Sequence, residues 1–437
     1  MGQPQISSLS SEQNPKKEFK YRIEDNWWKK FNIWKNVSKE EFLDWRWQYT
    51  HLINSPWKLF EAFPWLSEEE KKEVVEVSKI YPLLISPYYL SLIDPNDKLD
   101  PIKMQCIPSK EELLDVASTE DPLAEESDEV VPNLVHRYPD RALYITTNFC
   151  ATYCRFCTRK RILGKATVTG VSSLQKIVDY LKQNKQVHDI VISGGDPLTL
   201  PNKDLEKILS ELSAIDSIDT LRLGSRVPVT LPMKLFDEEL LELLEKYSDL
   251  LWLNTHFNHP NEITEVSYLA IKNVLKLGIP VNNQTVLLKG VNDDVEVMRK
   301  LMLSLIKIKV RPYYLFHCDP TRGIRHFRTT IWKGLEIMEG LRGHISGLAV
   351  PTYVVDAPGG GGKIPIMPNY IISMSEDRIV LRNFEGSIVS YDPTGKASTK
   401  EENQKFEGII SLLKGDFDKI DSLDSERIKR REKRSRY

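Results

Sequence analysis

The stretch Thr146–Arg161, TTNFCATYCRFCTRKR, holds three of the chain's five cysteines, Cys150, Cys154 and Cys157, at C-x3-C-x2-C spacing. Three thiolates so close together suggest a metal site. Zinc requires four ligands, and no fourth Cys or His stands nearby, whereas an iron–sulfur cube held by three cysteines leaves one iron free for another molecule. The aromatic Phe156 precedes the last cysteine, and the segment begins where an apolar run ends. Incidental buried thiols are the alternative, but they do not explain three of five cysteines falling in one short loop.

Outward from that loop the sequence is regular. Leu143–Thr147, Asp189–Ser193, Thr220–Gly224, Leu250–Asn254, Pro280–Leu288 and Val310–His317 read as strands. Amphipathic helices near Leu174–Leu181, Asp204–Leu212, Glu238–Lys246, Val266–Leu277 and Glu296–Ile306 separate them. Such alternation implies parallel strands joined by right-handed crossovers. Six units are too few for a closed eightfold barrel, so the expected fold is α/β, a partial, open (β/α)6 barrel with ligands at the C-terminal strand ends. The unusual residues obey that rule. The cysteine loop follows the first strand, Ser193-Gly194-Gly195-Asp196-Pro197 the second, and Asp319 the sixth, while Asn254, Thr255 and His256 end the fourth.

The 437 residues allow one large catalytic domain with additions. A hydrophobic share of 41% supports a core, and a net charge of −2 argues against a general nucleic-acid binder. The N-terminus lacks an apolar signal region, and no stretch approaches the roughly 18 apolar residues of a membrane span, so a cytoplasmic protein without a membrane partner is expected. The expected organisation is a disordered tail at 1–25, a helical region at 26–130, the barrel at 131–345, a segment with β-hairpins at 346–395, and a C-terminal helix with a basic tail at 396–437. Within the helical region, Glu40–Leu52 and the segment opened by Ser67 read as helices, Pro87–Pro101 as turns, Ser109–Ala117 as a short helix, and Thr119–Glu129 as an acidic link.

Gly359-Gly360-Gly361-Gly362-Lys363 departs from the phosphate-loop pattern, since Ala357 stands where its first Gly should be and Ile364 where Ser or Thr should follow the Lys. Four glycines let the backbone pass close to a ligand and present one amine, which suits a lysine forming a Schiff base with pyridoxal phosphate (PLP); a flexible turn with a solvated lysine is the other reading. Arg137 and Arg141, four apart before the first strand, suit a phosphate, although surface arginines are common. Arg159-Lys160-Arg161 adds positive charge beside the cysteine loop. Asp319 and Asp356 can together bind a cationic side chain, or act singly as caps. The eight histidines show no metal-ligand spacing; His256 and His259 (THFNHP) could form a pair, with a structural role as the other reading, and Cys106 and Cys318 read as buried thiols.

The cysteine stretch matches the radical S-adenosylmethionine (SAM) signature. Together with SPYYLSLIDPND, HRYPDRALYITTNFCATYCRFCTRKR, ISGGDPL, LNTHFNHPNEIT, RPYYLFHCD, HFRTT, GLRGHISG and VVDAPGGGGK, it resembles the lysine 2,3-aminomutase family from roughly Trp45 to Glu385. The resemblance implies a [4Fe-4S] cluster on Cys150, Cys154 and Cys157, and Lys363 as the Schiff-base lysine of PLP. It implies Arg137 and Arg141 at the PLP phosphate, and Gly194, Gly195, Asp196, His256 and Gln284 near SAM. Arg159 would meet the substrate carboxylate, and Asp319 and Asp356 the side-chain ammonium; relatives acting on glutamate lack that acidic pair. The implied activity is an isomerase converting L-lysine to L-β-lysine by 2,3-migration of the α-amino group, with another cationic amino acid such as arginine as the alternative substrate. A reducing electron donor such as flavodoxin or ferredoxin and a homo-oligomer are expected with it. Some members bind a structural zinc through further cysteines, but here Asp294 follows Val291-Asn292-Asp293 and no Cys follows Cys318, so the resemblance does not extend to zinc.

Overall fold

The computed structural model describes residues 26–165, 170–393, 409–414, 419–420 and 429; the expected tail at 1–25 and the basic residues beyond 429 lie outside them. One ten-stranded sheet is built from β1 (Glu129–Val131), β2 (Leu134–Tyr138), β3 (Arg141–Thr147), β4 (Asp189–Gly194), β5 (Thr220–Gly224), β6 (Leu251–Thr255), β7 (Val281–Leu287), β8 (Arg311–His317), β9 (Thr352–Ala357) and β10 (Gly362–Pro365), in spatial order equal to chain order. Strands β3 to β9 run parallel, while β1, β2 and β10 are antiparallel to their neighbours. Among the described residues no pairing joins β1 to β10, so the sheet stays open. All six expected strands are present. The seventh parallel strand, β9, extends the repeat and carries Asp356.

Burial along the strands alternates with period two. In β3, Ala142, Tyr144 and Thr146 are buried, whereas Arg141, Leu143 and Ile145 are half-buried; β4 and β5 repeat the pattern. The buried face meets helices such as Asn202–Ser213, whose Leu205, Ile208, Leu209 and Leu212 recur at helical spacing. Parallel sheets ordinarily bury both faces. Here one face stays partly accessible.

The helical region departs from expectation in its detail. Glu40–Leu52 divides into Lys39–Phe42 and Trp45–Thr50, because the Asp44 side chain accepts from Arg46 N and starts a new helix. The stretch expected to be turns holds the helix Pro87–Ser91 and reaches a second, Pro101–Cys106, each with Pro in its first turn and an oxygen-bearing cap, Ser86 or Asp100. Ser109–Ala117 forms only the 3-10 turn Lys110–Glu112. The Ser67 helix, Glu68–Ser78, has the expected cap, with Glu70 answering the Ser67 backbone. Beyond the large sheet, β11 (Ile371–Met374), β12 (Ile379–Arg382), β13 (Ile388–Tyr391) and β14 (Lys419–Ile420) form an antiparallel sheet beside the helix Ile409–Lys414. Among the described residues no helix is long and apolar enough to cross a membrane.

Buried charge fastens the helical region to the cysteine loop. Glu112 accepts from Arg155 Nε at 2.9 Å and Nη2 at 2.6 Å, and from Lys160 Nζ at 2.5 Å. Burial works against the Glu112 carboxylate, yet the two cations hold its pKa below the usual range; burial pushes Lys160 down to about 8. Removing one partner strands the others without water. Glu112→Ala is expected to lower stability by about 3–5 kcal/mol, read as a fall in the urea midpoint with the slope unchanged.

Candidate functional site

The cysteine loop is held by backbone contacts that only glycine permits. Gly195 N donates to Thr147 O at 2.5 Å and Asp196 N to Phe149 O at 2.8 Å. A Cβ on Gly194, whose φ is +124°, would overlap the Thr147 carbonyl oxygen, and one on Gly195 the Phe149 carbonyl oxygen. The Asp196 carboxylate accepts from Ser225 Oγ (2.7 Å), Arg226 N (2.7 Å), Leu198 N (3.1 Å) and Val227 N (3.1 Å). Burial nevertheless pushes its pKa up to about 6. Gly194, Gly195 and Asp196 therefore tie together the loops after β3, β4 and β5.

Cys150, Cys154 and Cys157 are free thiols. Burial raises the pKa of Cys150 well above the usual value and that of Cys157 to about 11, and neighbouring cysteines add to both shifts. Arg226, which the sequence reading missed, donates from Nη1 to Cys154 Sγ at 2.8 Å. Its Nη2 donates to Gln105 Oε1 (2.7 Å), Glu262 Oε1 (2.8 Å) and Tyr89 OH (3.0 Å), and its Nε to His256 O (3.1 Å). His256 follows β6 with its ring edge-on to Phe156. Burial, reinforced by Arg226, pushes this imidazole down to about 3, so it is neutral, and its buried Nε2 has no partner among the described residues. Gln284 projects half-buried from β7. Among the described residues, no three His, Cys, Asp or Glu side chains stand close enough together to hold one metal ion between them.

A second constellation forms on the β9–β10 hairpin. Lys363 and Asp356 are direct cross-strand partners, with Nζ 3.2 Å from Oδ1 and Nζ 5.3 Å from the centre of the Phe316 ring. Burial and the Asp356 charge push Asp319 up to about 7, with Lys363 and Arg328 pulling the other way. Lys363 N donates to Tyr138 OH at 2.9 Å. Arg141 stacks on the Tyr138 ring at 3.8 Å, and Arg137 Nε donates to Asp128 beside Gly360. Tyr138, another residue that sequence reasoning passed over, thus joins Arg141 to the Lys363 backbone, while Arg137 lies against the glycine turn.

Arg159 links the two constellations. Its guanidinium is gripped by Glu125, its Nη1 lies 3.5 Å from Gly194 O, and its backbone N donates to Cys157 Sγ at 3.3 Å. Glu125 in turn acts on the charge of Asp319.

Residues 144–302 match the radical SAM superfamily, and residues 338–437 match the family described as Lysine-2,3-aminomutase. The chain is 46% identical to the L-lysine 2,3-aminomutase of Clostridium subterminale, over 92% of this chain and 98% of that protein. The chain belongs to the lysine 2,3-aminomutase family. Another member, the L-lysine 2,3-aminomutase of Bacillus subtilis (strain 168), is 46% identical over 88% of this chain and 81% of its own length. The glutamate 2,3-aminomutase of Clostridioides difficile (strain 630) is 42% identical over 82% and 84%. Since this aminomutase family includes proteins named for side chains of opposite charge, the side-chain preference must be argued from the residues themselves.

An aminomutase of this family is an isomerase that uses a [4Fe-4S] cluster, SAM and PLP. The donors present fit those groups. Three free thiols share one loop, and one already accepts a hydrogen bond from a guanidinium. A buried ring nitrogen without a partner lies beside that loop, and an arginine lies against the glycine turn next to Lys363. Gly195→Ala in this aminomutase is expected to displace Phe149. Iron and sulfide bound after anaerobic reconstitution should fall by about half or more while PLP loading persists, measured by metal analysis and PLP absorbance.

Proposed function

We propose that this enzyme converts L-lysine to L-β-lysine, moving the α-amino group from C2 to C3 in exchange for a hydrogen. The observation that carries the choice of substrate is the acidic pair. Asp356, 6% exposed, already has the Lys363 ammonium 3.2 Å away, and Asp319 has a carboxyl whose pKa is raised by burial and by Asp356. An incoming ammonium relieves that repulsion, whereas a glutamate side chain would deepen it.

When bound, the cluster and SAM supply hydrogen-abstracting power, and PLP supplies a π-system for amino-group migration. Cys150, Cys154 and Cys157 hold the cluster, with Arg226 donating to one of the sulfurs. Lys363 would hold PLP through its amine, and Arg137 and Arg141 would meet the phosphate. Arg159 takes the substrate carboxylate while Asp319 and Asp356 hold the ammonium at the other end. Held at both ends, the substrate keeps C2 and C3 in one place. His256 and Gln284 would contribute to holding SAM, and Gly194, Gly195 and Asp196 would keep the loop beside it in position. A one-electron donor such as flavodoxin or ferredoxin, a homo-oligomeric assembly and a reducing cytoplasm complete this reading; the five free cysteines support the last.

Anaerobic protein with iron, sulfide, PLP, SAM, reductant and L-lysine is expected to form β-lysine, detected by mass spectrometry, and Lys363→Ala to form none. Turnover of L-arginine in preference to L-lysine would overturn the choice of substrate. The acidic pair also sets a pH dependence. Because Asp319 has its folded pKa raised to about 7, it is protonated below that pH and its share of stability is lost as pH rises through it. The ammonium of the lysine substrate, which ordinarily titrates at about 10.4, stays charged throughout. KM for L-lysine should therefore fall severalfold between pH 6 and pH 8, and Asp319→Asn should raise KM and flatten the profile.

A further inference from the structure

The acidic link between the helical region and the sheet does more than connect them. Thr119 bridges to Thr321, and its carbonyl accepts from Arg322 N at 2.7 Å. Pro122 O accepts from Gly359 N at 3.3 Å, and Leu123 O and Asp128 both accept from Arg137. The segment is thereby fastened to the loop after β8, to the glycine turn and to β2, and between those ties it directs Glu125 at Arg159.

The geometry of that contact is specific. Glu125 is buried, 4% exposed, and accepts from Arg159 Nε at 3.1 Å on each oxygen and from Nη2 at 2.7 Å. Arg161 Nη2 adds a contact to the second Glu125 oxygen at 3.3 Å, and Arg161 is itself held by Asp121 at 3.2 Å and Glu126 at 3.0 Å. A guanidinium presents two forked edges to carboxylates, one side-on through Nε and Nη2 and one end-on through Nη1 and Nη2. Glu125 takes the side-on edge. The end-on edge is turned toward the end of β4, where Nη1 lies 3.5 Å from Gly194 O.

We propose that Glu125 is a positioning residue for substrate: by locking the side-on edge of Arg159 it presents the end-on edge to the carboxylate of the amino acid. This rests on the reading that Arg159 meets that carboxylate. An arginine side chain free to rotate would lose conformational entropy each time it bound, whereas one fixed beforehand by a carboxylate does not. Glu125 also keeps the pocket from accumulating the unbalanced charge of Arg159 and Arg161.

The test compares two ligands that differ only in the group Arg159 would meet. L-lysine and pentane-1,5-diamine, which is lysine without its carboxylate, are titrated into the PLP-loaded full-length protein without reductant, and binding is followed by the change in PLP absorbance. Glu125→Gln should weaken L-lysine binding about tenfold or more while the diamine changes less than about twofold. Glu125→Asp, which keeps the charge but shortens the reach, should lie between and guards against a folding defect in the first variant. Arg159→Met serves as the reference. If Arg159→Met leaves the lysine-to-diamine ratio unchanged, the underlying reading of Arg159 is wrong and the proposal falls with it. If Arg159→Met collapses the ratio and Glu125→Gln does not, only the role of Glu125 is overturned. Tighter lysine binding in Glu125→Gln would mean that Glu125 competes with substrate, and a parallel loss of both ligands would mean that it is merely structural; either result overturns the proposal.

Discussion

The guanidinium of Arg226 is a full positive charge in a place with almost no water, and five hydrogen bonds make that tolerable. Its pKa is raised because partners of opposite or developing negative charge, Cys154, Tyr89 and Glu262, outweigh the penalty of burial. Those partners come from distant parts of the chain: Tyr89 and Gln105 from the helical region, His256 and Glu262 from the turn after β6, and Cys154 from the loop after β3. Glu262 is held in turn by Asn258 N, His259 N and Tyr89 OH. Losing the guanidinium would leave the buried Glu262 carboxylate without its counter-charge and uncouple three segments at once. The helical region is for this reason locked to the loops after β3, β5 and β6 rather than appended to the sheet.

The same logic governs the rest of the interior. Arg155 and Lys160 share Glu112, Arg159 and Arg161 share Glu125, and Arg222 on β5 meets Asp189 on β4 at 2.8 Å. A positive charge fixed in a partly dry interior needs a counter-charge close by. The exception is informative. Asp319 stands close to a second acid without an arginine fork of its own, and its proton affinity rises accordingly.

Much of this can be read from the chain, and what cannot follows a physical rule. Strands β3 to β8 are legible because short apolar runs bounded by turn residues alternate with helical periodicity. The seventh unit escapes, since Gly334 and Gly340 make the helix Ile331–Leu341 resemble a broken segment. In the structure these two glycines mark close packing, Gly334 against the Tyr353 ring and Gly340 against Val295. The cysteines and Lys363 announce themselves through local spacing. Arg226, Glu125 and Tyr138 do not, because what they do depends on partners up to 225 residues away. Asp196 is legible as unusual, yet its four donors join loops, a role that no neighbour in sequence reveals.

The hairpin that carries Lys363 has a consequence of arithmetic. Lys363 lies directly opposite Asp356 in an antiparallel pair, so both side chains project from the same face. Side chains alternate faces at every step along a strand. A slip of β10 by one residue against β9 would send the amine to the far side of the sheet, away from Asp356 and the Phe316 ring, whereas a residue taken up wholly within the turn at 358–361 would leave the pair facing one another. The pairing register, rather than the length of the turn, therefore decides which face the amine serves.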